Sequence, residues 1–185
     1  MPDFGQVMLD TASLRLRPLD HADADAPYAI HSDPQVMKYS TIRPWSSVEQ
    51  AHELVERSLA AMRAGSQLCF GIVPTSAGMV VGTCTLFHIY KASRRAEVGF
   101  VLGKSFWGRG YMTEALSGLL DYGFSTLDMN RVEADTDPRN LAAAKLLERL
   151  GFVKEGHLRE RWIVDDEESD RAMYGLLRRE WRASG

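Results

Sequence analysis

The chain has 185 residues, 45% hydrophobic and 25% charged, with a formal net charge of −3; this balance excludes long disorder and a nucleic-acid binder working by bulk positive charge. The length fits one domain, taken as residues 1–185, with little material for a second core. No apolar run approaches a membrane span, and the opening MPDFGQVMLD lacks the basic-then-apolar pattern of an export signal, so the expected location is the cytoplasm, with no membrane partner.

In chain order, residues 13–17 (SLRLR) alternate polar and apolar as a half-buried strand ending at Pro18. Asp20 to His31 reads as a short helix stopped before Asp33-Pro34. From Ser47 a helix carries Val48, Ala51, Val55, Leu59 and Met62 on one stripe, with a capping box from Ser46 and Glu49 or Ser47 and Gln50, and Gly65 at its end. Strands at 68–73 and 79–88 form a hairpin around PTSAG. In the next strand, 95–102, Ala96, Val98, Phe100 and Leu102 face one way, and Glu97, Gly99 and Val101 the other. After a glycine turn, a helix over 111–127 has the apolar stripe Met112, Ala115, Leu116, Leu119, Leu120 and Phe124. A strand over 131–137 precedes Pro138-Arg139-Asn140 and a helix to Leu150, stopped by Gly151. Two strands, 152–164 and 170–179, close the chain around the acidic turn DDEES. The expected fold class is a mixed α/β sheet with more antiparallel than parallel pairing, flanked by helices.

Cys69 and Cys84 sit inside apolar runs without a CxxC neighbour, as buried free thiols do. The five histidines show no HxxxH or HExxH pairing, so no metal is expected.

The chemistry concentrates in AEVGFVLGKSFWGRGYMTEAL, residues 96–116: strand, glycine turn, amphipathic helix. The first turn of a helix offers amides with no partner inside the helix, and the helix dipole adds positive potential. Glycines at 108 and 110 let that backbone approach a bulky phosphate, and Arg109 adds a formal charge. A Walker-A loop ending in Gly103-Lys104-Ser105 fails, since it requires glycine at 98, where valine stands. A dinucleotide fingerprint fails too, its third glycine being replaced by Thr113.

The run Trp107-Gly108-Arg109-Gly110-Tyr111-Met112-Thr113-Glu114-Ala115 resembles the acetyl-CoA signature of the GCN5-related N-acetyltransferases (GNAT), in the branch that includes the ribosomal-protein N-terminal acetyltransferases. The resemblance covers nearly the whole chain. LRLRPL (14–19) is similar to that branch's first strand, Asp33-Pro34 with Val36-Met37-Lys38-Tyr39 to its early loop, residues 131–152 to its fifth strand and following helix, and Met173-Tyr174-Gly175-Leu176 to its last strand.

The resemblance implies the GNAT fold and direct transfer of an acetyl group from acetyl-CoA to a primary amine, without a metal. The strand before the loop would splay from its neighbour and bond the pantetheine amides through the backbone of Phe100, Val101 and Leu102, an N–H of Val101 or Leu102 also polarising the acetyl carbonyl. Trp107 belongs to the signature; Gly108, Arg109, Gly110, Tyr111 and Met112 would donate amides to the pyrophosphate, with Thr113 adding its hydroxyl. Asn140 matches the asparagine beside the pantetheine arm and equally suits a helix N-cap. An ammonium has no lone pair, so a base must take a proton from the acceptor. Glu97 is the candidate base; its other reading is a surface carboxylate paired with Arg94 or Arg95. The positions from which relatives protonate the leaving thiolate hold Ala143 and Leu147, leaving Tyr174, Tyr111 or unassisted departure. Trp45, His88, Tyr90, Trp107 and Trp162 are candidates to wall an acceptor groove, and the acidic turn 165–168 to attract a cationic acceptor. The acceptor is a protein N-terminus or a small-molecule amine, with no nucleic acid, and the state monomer or homodimer. The alternative is a non-catalytic acyl-CoA sensor or recruitment module.

Overall fold

The computed structural model describes residues 3–181. Its strands are β1 (Leu9–Asp10), β2 (Leu14–Arg17), β3 (Leu68–Pro74), β4 (Gly82–Tyr90), β5 (Arg95–Leu102), β6 (Arg131–Thr136), β7 (Val153–Val164) and β8 (Glu167–Leu177), and its α-helices α1 (Asp25–His31), α2 (Pro34–Met37), α3 (Glu49–Arg63), α4 (Tyr111–Ser125) and α5 (Leu141–Arg149). The strands form one sheet in the order β1-β2-β3-β4-β5-β6-β8-β7. Every neighbouring pair is antiparallel except β5 and β6, which run parallel.

Register explains the core. Leu16 lies opposite Ile72, Phe70 opposite Cys84, Leu86 opposite Val98, Ala96 opposite Val132, and Ala134 opposite Tyr174, so their side chains share one face. All are buried, and the apolar stripe of α4 with Leu147 of α5 packs onto them. A smaller cluster on the opposite face joins Leu19, Val73 and Val80 to Val55 of α3. Cys69 and Cys84 are both buried and free, as expected.

The first helix stops before Asp33-Pro34 as expected, α1 ending at His31, and a second short helix, α2, follows, started by the Asp33 carboxylate accepting from the Gln35 amide at 2.8 Å. Two local expectations change. The α3 capping box is only half made. Val48 is the N-cap without a side-chain bond, while the Gln50 carboxamide oxygen accepts from the amides of Ser46 and Ser47 at 2.9 and 3.2 Å. The turn between the last strands is tighter than DDEES. Val164 pairs with Glu167, leaving Asp165 and Asp166 as the whole loop, with φ of 53° and 62°, the left-handed pair that a two-residue hairpin requires.

Candidate active site

The site begins where two strands part. β5 pairs with β6 only from Arg95–Arg131 to Glu97–Glu133, yet β5 continues to Leu102 and β6 to Thr136. On its other edge β5 stays bonded to β4, the Gly103 amide donating to the Val81 carbonyl at 2.9 Å. Antiparallel pairing alternates, so Val101 and Gly99 also turn their main-chain groups to β4, and Phe100 and Leu102 turn theirs into the gap. The backbone of Val101 is therefore unavailable to a pantetheine amide or an oxyanion, contrary to expectation; only its side chain borders the gap. The Leu102 carbonyl already accepts the Trp107 indole N–H at 2.8 Å, leaving the Leu102 amide and both main-chain groups of Phe100.

The glycine turn follows. Gly108 and Gly110 have φ of 73° and 81°, a region that β-branched and bulky residues avoid. Gly110 is the N-cap of α4 and has no side chain to satisfy the first turn. Among the described residues, the amides of 108–113 have no protein acceptor, and the first helix-type bond runs from the Glu114 amide to the Gly110 carbonyl at 3.0 Å. Glu114, the acid in this turn, leaves the amides free, because its carboxylate accepts from the Ser13 amide at 2.6 Å and the Ser13 and Thr11 hydroxyls at 2.7 and 2.6 Å. These amides with the helix dipole form an anion cradle.

Gap and cradle open into one cavity of about 710 Å³. Of the residues singled out from the sequence, Phe100, Val101, Leu102, Trp107, Gly108, Gly110, Tyr111, Met112, Thr113 and Asn140 line it. Arg109 does not; its guanidinium lies over the Phe106 ring, 5.5 Å from the centroid. Asn140 is the N-cap of α5, accepting from the Ala143 amide at 3.1 Å, so its amide group remains able to donate into the cavity.

Two walls were missed in whole or in part. From the expected Asn140 a stripe continues along α5 through Ala143, Leu146 and Arg149; their three-residue spacing in the sequence was the available signal. Gln35, Val36, Lys38 and Tyr39, from α2 and the segment after it, supply a further wall. Among the five aromatic candidates for an acceptor groove, only Trp107 lines the cavity; Trp45 is buried against the His31 ring with centroids 4.2 Å apart. Two of the four acids of the turn are already engaged: Asp165 pairs with Arg43, and Glu167 with Arg139 at 2.7 Å.

Glu97 is absent from the cavity lining; it stands at the last β5–β6 pair, where the gap starts, its side chain one-third exposed. Neither arginine pairs with it: Arg94 binds Asp128 at 2.9 Å and Arg95 binds Glu133. Its partner is His88, Nδ1 to Oε1 at 3.0 Å. Tyr174 is 4% exposed, packed in the core on β8 and absent from the cavity lining; burial, and secondarily the charge of Glu148, push its phenol up. The sequence placed Tyr174 at the reaction; the structure does not bring it there. Among the described residues, no three or more His, Cys, Asp or Glu side chains gather to hold a metal ion, and no helix is long and apolar enough to cross a membrane.

The acetyltransferase (GNAT) domain family matches residues 13–153, which contain both the gap and the cradle. The chain belongs to the GNAT acetyltransferase family. This acetyltransferase is 38% identical over 173 residues to the uncharacterized N-acetyltransferase p20 of Bacillus licheniformis, covering 94% of this chain and 97% of that protein. It is 28% identical over 120 residues to the [ribosomal protein uS5]-alanine N-acetyltransferase of Escherichia coli (strain K12), covering 64% and 62% of the two chains. Its fold matches the crystal structure of spermidine N-acetyltransferase from Vibrio cholerae in complex with CoA and spermine, with a TM-score of 0.81 and 23% identity over 91% of this chain and 98% of that one. The chain is an acetyl-CoA-dependent N-acetyltransferase, with acetyl-CoA as co-substrate.

Proposed function

We propose that this acetyltransferase acetylates a primary amine, either a protein N-terminus or a small polyamine, with Glu97 as the base and the amides of 108–113 gripping the diphosphate of acetyl-CoA. The observation that carries the reading is the run of partnerless amides opening onto the cavity whose next wall is the unpaired edge of β5. The two acceptor classes follow relatives named for a ribosomal protein and for spermidine.

In this reading the pantetheine arm lies along Phe100 and Leu102 and completes the ladder that β6 abandons. The thioester then rests near Phe100, and Glu97 is three residues back on the same strand. Glu97 takes a proton from the acceptor ammonium, directly or through water, and the neutral amine attacks the carbonyl carbon. The Phe100 amide donates to the oxygen as it becomes negative, a fixed dipole that needs no reorganisation during the step. Collapse breaks the C–S bond and expels the thiolate, and the proton still surplus on the new amide nitrogen passes to it through solvent. Tyr111 sits at the diphosphate end of the cavity and Tyr174 outside it, so the thiolate leaves without a side-chain acid, which its thiol pKa of ~8.5 permits.

Calorimetry with acetyl-CoA, then mass spectrometry of an alanine-led peptide and of spermidine after incubation, tests the reading. One acetylated amine with release of coenzyme A is expected. Acetyl-CoA binding that yields no acetylated amine across peptides and small amines would point to a sensor instead.

A further inference from the structure

β4 contains one irregularity, and it falls beside the proposed base. Pairing with β5 is regular from Gly82–Leu102 to Phe87–Glu97, then breaks before Tyr90–Arg95. Phe87 is directly opposite Glu97, so these two share a face, and a regular strand would turn the next residue, His88, to the other. His88 instead has φ of 47°, and this bulge re-aims its imidazole to the Glu97 side, where Nδ1 comes within 3.0 Å of Oε1. The Phe87 ring meets the imidazole edge-on, centroids 4.8 Å apart, and lies over Gly99, where a Cβ would stand only 3.2 Å from Phe87 Cε1.

The other charges on this face are spoken for. Glu133 of β6 lies beside Glu97 in register, but it is held by Arg95 and Arg131, and Arg95 also stacks on the Tyr90 ring at 4.3 Å. Among the described residues, His88 is the one basic group within ion-pair distance of Glu97.

We propose that His88 is a positioning residue for Glu97, turned by the β4 bulge so that its imidazole fixes the carboxylate against the β5 face. This rests on the reading of Glu97 as the base. A carboxylate on a flexible side chain, one-third exposed, samples several rotamers; a donor held by backbone geometry selects one, and orientation is a large part of what a base contributes. His88 is outside the cavity lining, and its proposed action is through Glu97.

The test compares wild type, Glu97→Gln, His88→Ala, His88→Asn and His88→Ala/Glu97→Gln, measuring thiol release from acetyl-CoA with spermidine and with an alanine-led peptide. Asparagine tolerates positive φ and keeps a donor. His88→Ala is expected to lower kcat about tenfold, as loss of one charge-assisted hydrogen bond does, with KM for acetyl-CoA unchanged. His88→Asn is expected to recover most of that loss, and His88→Ala to cost nothing further once Glu97 is Gln. In the resting protein, 15N spectra of the imidazole should show a proton on Nδ1, with that preference lost in Glu97→Ala. Normal kcat in His88→Ala beside a slow Glu97→Gln overturns the role of His88 and leaves the base reading standing. A fast Glu97→Gln overturns the base reading and this proposal together. If neither acceptor turns over, the spectra decide: an imidazole indifferent to Glu97→Ala overturns the proposal.

Discussion

The Trp107 indole N–H donates to the Leu102 carbonyl at 2.8 Å, tying the glycine turn back to the end of β5. Because the indole is half exposed, with 49% of its surface accessible, its bond matters more than its packing. Trp107→Phe keeps a ring and removes the donor. Acetyl-CoA affinity is expected to fall about fivefold, corresponding to the ~1 kcal/mol of a single hydrogen bond, with the melting temperature nearly unchanged. Calorimetric titration checks it; an unchanged Kd would mean that the loop holds its shape unaided.

A Cβ at Gly110 would meet no atom within 4 Å, yet φ there is 81°. Space is available and conformation is not. Gly110→Val is therefore expected to fold while losing the amide cradle, weakening acetyl-CoA binding by at least about fivefold through the 1–3 kcal/mol cost of holding such a residue at positive φ. Full affinity in a folded Gly110→Val protein would place the diphosphate elsewhere.

Glu97→Gln removes a proton acceptor and almost no volume. Turnover is expected to fall by about a hundredfold or more, the usual contribution of a positioned base, with acetyl-CoA affinity held. Tyr174→Phe, by contrast, should leave turnover within about twofold, because its ring is packed in the core. A large loss in Tyr174→Phe would return that residue to the reaction.

Glu114 links α4 to the β1–β2 turn, and that link depends on pH. Burial pushes its carboxyl up, but hydrogen bonds from Thr11, Ser13 and the amides of Ser13 and Leu14 outweigh burial and hold it below its ordinary value of 4.5. A carboxyl lowered in the folded state contributes stability above its unfolded value, and that contribution disappears as pH falls through the folded one. Thermal melts from neutral pH to about pH 3 should show wild type losing stability more steeply than Glu114→Gln below pH 4.5. Parallel curves would remove Glu114 from the acid response.

Most of the frame was legible because periodicity writes it directly. The alternation at Ala96, Val98, Phe100 and Leu102 reappears as core-facing residues, and all six residues of the α4 stripe are buried. Gly151, at φ of 91°, follows α5 where a stop was expected. What escaped had no local signature. Nothing in Asp165-Asp166 announces a two-residue turn, since Gly or Asn usually marks it, and the strand beginning at Glu167 opens with two exposed residues, so no apolar rhythm marks its start. Parity of the β5 backbone depends on where β4 pairs, which is tertiary information; hence Val101 was assigned to the gap although its main chain belongs to β4. Arg149 and Tyr39 reach the site from elements whose relative placement no single stretch encodes.

The parting of β5 from β6 has a consequence for the life of the protein. A sheet that lacks a rung is finished by whatever slots into it; with acetyl-CoA lying there as proposed, the substrate would also be a piece of the scaffold. Stability would then rise with the logarithm of free acetyl-CoA above its dissociation constant, making the enzyme sturdiest where activated acetate is plentiful.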